Sequence, residues 1–118
     1  MPRSVLVVED EIINAMALSD MLPARGIRIT DMVTSGEDAI RAAEKDRPDV
    51  VLMDISLQGR IDGLEAAREI IGRLGIPVIF MSGFDDEKTM KAARELKPHA
   101  FLVKPLDPAR LLDVLNEV

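Results

Sequence analysis

Cysteine is absent from this chain of 118 residues, and histidine occurs once. Without thiols there is no disulfide framework, no thiolate zinc site and no thiol nucleophile. The single histidine, His99, lies between Pro98 and Ala100 in a turn-like stretch. That is a poor place for a phosphorylated histidine or a metal ligand, and the side chain is expected at the surface. No apolar run approaches the roughly 20 residues of a membrane-spanning helix. Met1-Pro2-Arg3-Ser4 leads into a strand-like run rather than a signal peptide, which predicts a cytoplasmic location. Positive charge is in short supply as well: a net charge of −6 argues against nucleic-acid binding through bulk electrostatics, although such a domain can attract a divalent cation. Repeats, low-complexity segments and linkers are missing, so residues 1–118 are expected to form one domain, with 47% hydrophobic residues to build its core.

What the chain does have is alternation. Val5-Leu6-Val7-Val8, Val50-Val51-Leu52-Met53 and Pro77-Val78-Ile79-Phe80-Met81 are short continuous apolar runs, the pattern of strands buried on both faces, and Ala100-Phe101-Leu102-Val103 reads as the fifth strand. Residues 27 to 33 mix Ile27 and Ile29 with Arg28, Thr30 and Asp31, which suits a half-exposed edge strand. Between these runs lie helical segments. The first carries Ile12, Ala15, Leu18 and Leu22 at helical spacing, with Pro23 in its last turn and Gly26 ending it. The second opens on Ser35 as N-cap and runs to about Asp46, and the third opens on Asp62-Gly63-Leu64-Glu65 and runs to about Leu74 before Gly75. The fourth, from about Asp86 to Leu96, has a thin apolar stripe of Met90, Ala92, Ala93 and Leu96 and should be held weakly. The last follows Asp107-Pro108 and turns Leu111, Leu115 and Val118 inward. The seven methionines mostly fall within apolar runs and are expected as core filler.

Five strands alternating with five helices predict an α/β fold of the flavodoxin-like (βα)5 type. Its parallel five-stranded sheet takes the order 2-1-3-4-5 between two helical layers. In such a fold ligands sit at the carboxyl edge of the sheet, beside the switch point between strands 1 and 3. That edge collects Glu9, Asp10 and Asp54 from strand ends, with Ser82 and Lys104 arriving from strands 4 and 5. Taken singly, each is more readily a helix cap or a first solvated residue. Taken together, three carboxylates within ~5 Å would repel by ~3 kcal/mol per pair at an effective dielectric of 20, a cost that a bound cation offsets. An all-oxygen site of this kind favours Mg²⁺. Lys104 supplies a point charge for a phosphoryl oxygen and Ser82 a hydroxyl donor, so the inventory fits phosphoryl transfer to a carboxylate nucleophile, Asp54.

At these residues the chain resembles the receiver domain of two-component response regulators, over nearly its whole length. The resemblance rests on Val7-Val8-Glu9-Asp10, Leu52-Met53-Asp54, Asp62-Gly63-Leu64-Glu65, Ser82 and Lys104-Pro105, in order and at the family's spacing. It implies a phosphorylation-switched signalling protein that takes a phosphoryl group on Asp54 from a sensor histidine kinase or a histidine phosphotransfer protein. Glu9, Asp10, Asp54 and the backbone carbonyl of Ser56 would hold Mg²⁺, while Ser82 and Lys104 would contact the phosphoryl group. Ser82 and Phe101 would form the switch, and Ser56 and Phe84 would tune dephosphorylation. Signalling would pass through the face of helix 4, strand 5 and helix 5 to a downstream protein target, with a homodimer among the assemblies open to it. Such a chain is a phosphoacceptor with self-catalysed transfer and autodephosphorylation rather than an enzyme acting on other substrates. No membrane or direct nucleic-acid contact is implied.

The departures from the family pattern are local. Residues 55–61 run about one residue longer than the family's loop, the strand-5 aromatic is Phe101 where tyrosine is frequent, and Phe80-Met81-Ser82-Gly83-Phe84 is similar to a subset with stand-alone members. With no effector domain in the sequence, a stand-alone receiver, acting through protein contacts or as a phosphate relay or sink, is the expected form, beside that of a piece of a longer regulator. Two rivals remain on the residues alone. A receiver-like binding module without phosphorylation would not need the full acidic set, and an aspartate-nucleophile phosphohydrolase usually carries Asp-x-Asp where Glu9-Asp10-Glu11 stands.

Overall fold

The apolar runs form the sheet and the periodic segments cover it. A computed structural model describes residues 2–57, 61–83 and 86–118. The order along the chain is β1 (Ser4–Val8), α1 (Ile12–Ala24), β2 (Arg28–Val33), α2 (Gly36–Asp46), β3 (Val50–Asp54), α3 (Gly63–Glu69), β4 (Val78–Ser82), α4 (Glu87–Glu95), β5 (Ala100–Val103) and α5 (Pro108–Asn116). All pairings are parallel and the order across the sheet is β2-β1-β3-β4-β5, the flavodoxin-like arrangement expected from the alternation. β3 is the central strand, and β1, β3 and β4 are buried at every residue.

The pleat sorts each strand's side chains into two layers. Leu6, Val8, Val51, Met53, Val78 and Phe80 point to one face, where Ala39, Ala42 and Ala43 of α2, Ala66 and Ala67 of α3 and Ala93 of α4 cover them. Val5, Val7, Val50, Leu52, Ile79 and Met81 point to the other, under Leu18 and Leu22 of α1 and Leu111, Val114 and Leu115 of α5. Alanines dominate the first helical layer, so α2 and α3 approach the sheet closely.

The helix ends follow the capping residues. The Ser35 hydroxyl accepts from Asp38 N, Asp62 from Glu65 N, Asp86 from Thr89 N and Asp107 from Ala109 N. Pro23 sits inside the last turn of α1 and Gly26 follows at φ 79°.

Three local expectations are refined or corrected. Ile12 shares the helical spacing of Leu18 and Leu22 but is 74% exposed, since α1 starts with Ile12 and only Leu18 and Leu22, further along, are buried on that helix. The third helix runs to Leu74 and is stopped by Gly75, at φ 68°, as expected, though it is α-helical only to Glu69 and π-helical over Ile70–Leu74. His99 is half-buried rather than a surface residue, with Nε2 3.1 Å from the carbonyl oxygen of Val114. Of the methionines, Met53 and Met81 are core residues, but Met16 is 62% exposed.

Candidate functional site

Every strand of the parallel sheet delivers its last residue to the same edge. β1 ends at Val8 and leads into Glu9, β3 ends on Asp54, β4 on Ser82, and β5 on Val103, ahead of Lys104. The chain leaving β1 is extended at Glu11 (φ −90°, ψ 115°) and starts α1 without a side-chain cap. The Glu11 carboxylate is therefore free of capping duty and faces Lys104.

Lys104 is the hub. Its Nζ donates to Asp54 Oδ2 at 3.0 Å, to Glu9 Oε1 at 3.1 Å and to Glu11 Oε1 at 3.1 Å. The second Glu9 oxygen, Oε2, also lies 3.0 Å from Nζ, but outside hydrogen-bond alignment; it is buried and has no hydrogen-bond partner among the described residues. Asp54 Oδ1 accepts the backbone N–H of Ser56 at 2.8 Å, and Glu9 Oε1 accepts that of Glu11 at 3.0 Å. Oxygens of Glu9, Glu11 and Asp54 all fall within 4.8 Å of one another.

Burial raises the Glu9 carboxyl above the ordinary glutamate range, against the lowering effect of its hydrogen bond from Lys104. Burial by itself would lower the Lys104 ammonium, but hydrogen bonds to Asp54, Glu9 and Glu11 outweigh it and raise the group well above an ordinary lysine. Lys104 is thus a fixed cation among carboxylates. The donor set is all oxygen, and the buried Glu9 Oε2, ion-paired with Lys104 but accepting no hydrogen bond among the described residues, is a ready ligand, so these residues fit a hard divalent cation such as Mg²⁺.

Of the residues expected at the site, Glu9, Asp54 and Lys104 are in direct contact, and Ser82 lies at the same edge, buried, on the strand next to Asp54. Asp10 is exposed and lies outside the carboxylate trio; Glu11 stands in it instead. That placement was not foreseen, although spacing held the signal, since residues i and i+2 of an extended chain share a side. Ser56 is exposed, with its N–H on Asp54. Phe101 is half-buried, its ring 5.4 Å from that of Phe80. Phe84 and residues 58–60 of the long loop lie outside the described residues.

A second feature missed in sequence is the approach of α3. A β-carbon built on Gly63 would lie 2.4 Å from the carbonyl oxygen of Asp54 and 3.0 Å from Cα of Ile55. Glycine there lets the start of α3 rest on the backbone that carries Asp54.

A family model, the response regulator receiver domain, matches residues 5–116. The chain belongs to the response regulator receiver family. Among curated relatives, the transcriptional regulatory protein PdtaR of Mycobacterium tuberculosis is 34% identical over 115 residues, covering 98% of this chain and 56% of the relative. The chain thus spans about half the length of that relative. Among solved structures, the signal receiver domain of a modulated diguanylate cyclase from Desulfovibrio desulfuricans superposes with a TM-score of 0.93 at 32% identity, covering 99% of this chain and 92% of that one. The receiver domain of a sensor histidine kinase from Pseudomonas aeruginosa, described with magnesium coordinated in its active-site cleft, gives 0.86 at 30% identity, covering 99% and 97%. As a receiver domain, the chain is a module of two-component signalling.

Proposed function

We propose that this receiver accepts a phosphoryl group on Asp54 from a phosphohistidine of a sensor histidine kinase or a histidine phosphotransfer protein, and that the modified form signals to a downstream protein. The observation that carries the reading is Lys104 Nζ on Asp54 Oδ2 at 3.0 Å, inside a carboxylate cluster at the carboxyl edge of the sheet. A purely structural lysine has no need of three acids, and a binding module without chemistry has no use for a cluster that repels itself.

The chemistry follows from the groups present. A carboxylate oxygen of Asp54 attacks phosphorus in line as the P–N bond to the donor imidazole breaks, leaving an acyl phosphate on Asp54. Lys104 swings its ammonium from the carboxylates to a phosphoryl oxygen, and the Ser82 hydroxyl donates to another. Glu9, Asp10, Asp54 and the Ser56 carbonyl would hold Mg²⁺, which when bound neutralises charge on the transferring group. Hydrolysis then returns the free carboxylate, at a rate set by Ser56 and Phe84 through access and orientation of water. The phosphorylated protein signals from the face of α4, β5 and α5, with Phe101 following Ser82. It works in the cytoplasm, contacts neither nucleic acid nor membrane directly, and is open to dimerisation. No helix among the described residues is long and apolar enough to cross a membrane.

Incubation with Mg²⁺ and acetyl phosphate tests this. The expected result is a mass gain of one phosphoryl group, lost in Asp54→Asn. No gain, or steady turnover of unrelated phosphoesters, overturns it.

A further inference from the structure

Ser82 closes β4 and is buried, so its hydroxyl cannot turn to bulk water. It donates to the thioether of Met90, eight residues on, with Oγ 3.6 Å from Sδ. Met90 is on α4, a helix on which Ala93 is the buried residue, so few apolar contacts hold it to the sheet. A serine hydroxyl carries one proton. It can be given to Met90 Sδ or to a phosphoryl oxygen on Asp54, but not to both.

We infer that Met90 is a positioning residue for Ser82: its sulfur holds the hydroxyl on α4 until a phosphoryl group on Asp54 takes it. The inference rests on the phosphoacceptor reading of Asp54 and adds the element that connects the site to α4. Because the two hydrogen bonds exclude each other, they are linked. The Ser82–Met90 contact favours the unphosphorylated form, and phosphorylation releases α4 by removing that contact. A thioether is a weak acceptor, which suits a latch that a charged phosphoryl oxygen must outcompete.

The test is amide exchange over Glu87–Glu95 in the full chain, with and without acetyl phosphate and Mg²⁺, in wild type, Met90→Leu, Met90→Gln, Ser82→Ala and the Ser82→Ala/Met90→Leu pair. Leucine keeps the volume and lacks the acceptor; glutamine restores an acceptor on an unbranched chain. We expect unphosphorylated Met90→Leu and Ser82→Ala to exchange roughly threefold faster or more across α4. The double variant should be no faster than either single one, and Met90→Gln should recover protection. Phosphorylation should then add little to α4 exchange in Met90→Leu. Wild-type protection in Met90→Leu, additive effects in the double variant, or glutamine behaving as leucine does would each overturn the inference. Failure of the phosphoacceptor reading is seen separately, as absence of a mass gain in wild type.

Discussion

Gly63 touches Asp54 through backbone alone: a β-carbon at Gly63 would stand 2.4 Å from the Asp54 carbonyl oxygen. The helix α3 therefore buttresses the strand end that presents the acceptor carboxylate. Gly63→Ala must push the two elements apart, with an expected cost of about 1–3 kcal/mol in urea unfolding and slower uptake of phosphoryl from acetyl phosphate. Gly72, inside the helical turn Ile70–Leu74 where a β-carbon meets nothing within 4 Å, is the control: Gly72→Ala should stabilise by about 0.5–1 kcal/mol and leave phosphoryl uptake unchanged. Wild-type behaviour of Gly63→Ala would mean that α3 shifts without disturbing Asp54.

Lys104 stands where a cation is wanted, bonded to Glu9, Glu11 and Asp54 at once. Lys104→Met should leave those acids uncompensated and lower stability without metal by about 2 kcal/mol, below the full cost of breaking a buried pair because Glu11 is exposed. Magnesium should then raise the melting temperature more in Lys104→Met than in wild type, while phosphorylation slows. A magnesium response equal to that of wild type would show that the ammonium does not compete for the cation's place.

Asp10 and Glu11 can be told apart by titration with Mg²⁺. Glu11 is held by Lys104 yet has a side chain 63% exposed, so Glu11→Gln should change stability by about 0.5 kcal/mol or less and magnesium affinity little. Asp10→Asn should weaken magnesium affinity by roughly tenfold and slow phosphorylation in proportion, as expected for a direct ligand. The reverse outcome would transfer the metal role to Glu11.

Asp49 predicts a pH dependence away from the site. Its Oδ2 accepts the backbone N–H of Arg3 at 2.8 Å and of Ser4 at 3.1 Å, tying the start of β1 to the segment before β3. The Arg3 bond is the main reason the carboxyl lies below its ordinary value of 3.8. A lowered folded value means that the contribution is present above 3.8 and lost as pH falls through the folded value. Asp49→Ala should cost about 1 kcal/mol at neutral pH, reduced from two full hydrogen bonds by solvent exposure. The gap between the two proteins should close on acidification below that range. A gap constant across pH would assign the effect to packing.

Much of this molecule is legible along the chain. Continuous apolar runs separated by capped helical segments define a parallel sheet, and the right-handed crossover rule leaves few topologies for five such units, so the sequence alone assigns Glu9, Asp10, Asp54, Ser82 and Lys104 to one edge. Those inferences rest on period and local capping, which depend on near neighbours in sequence. The partnership of Lys104 with Glu11 rather than Asp10, the seat of Gly63 on Asp54 and the bond from Ser82 to Met90 depend instead on how separate elements lean on one another. Exposure of Ile12 is of the same kind: helical spacing marks one stripe on α1, but contacts with other elements decide which turns of that stripe are covered. Side-chain direction at a strand end and the gap between two elements are settled by packing across the whole core, and no local pattern encodes them.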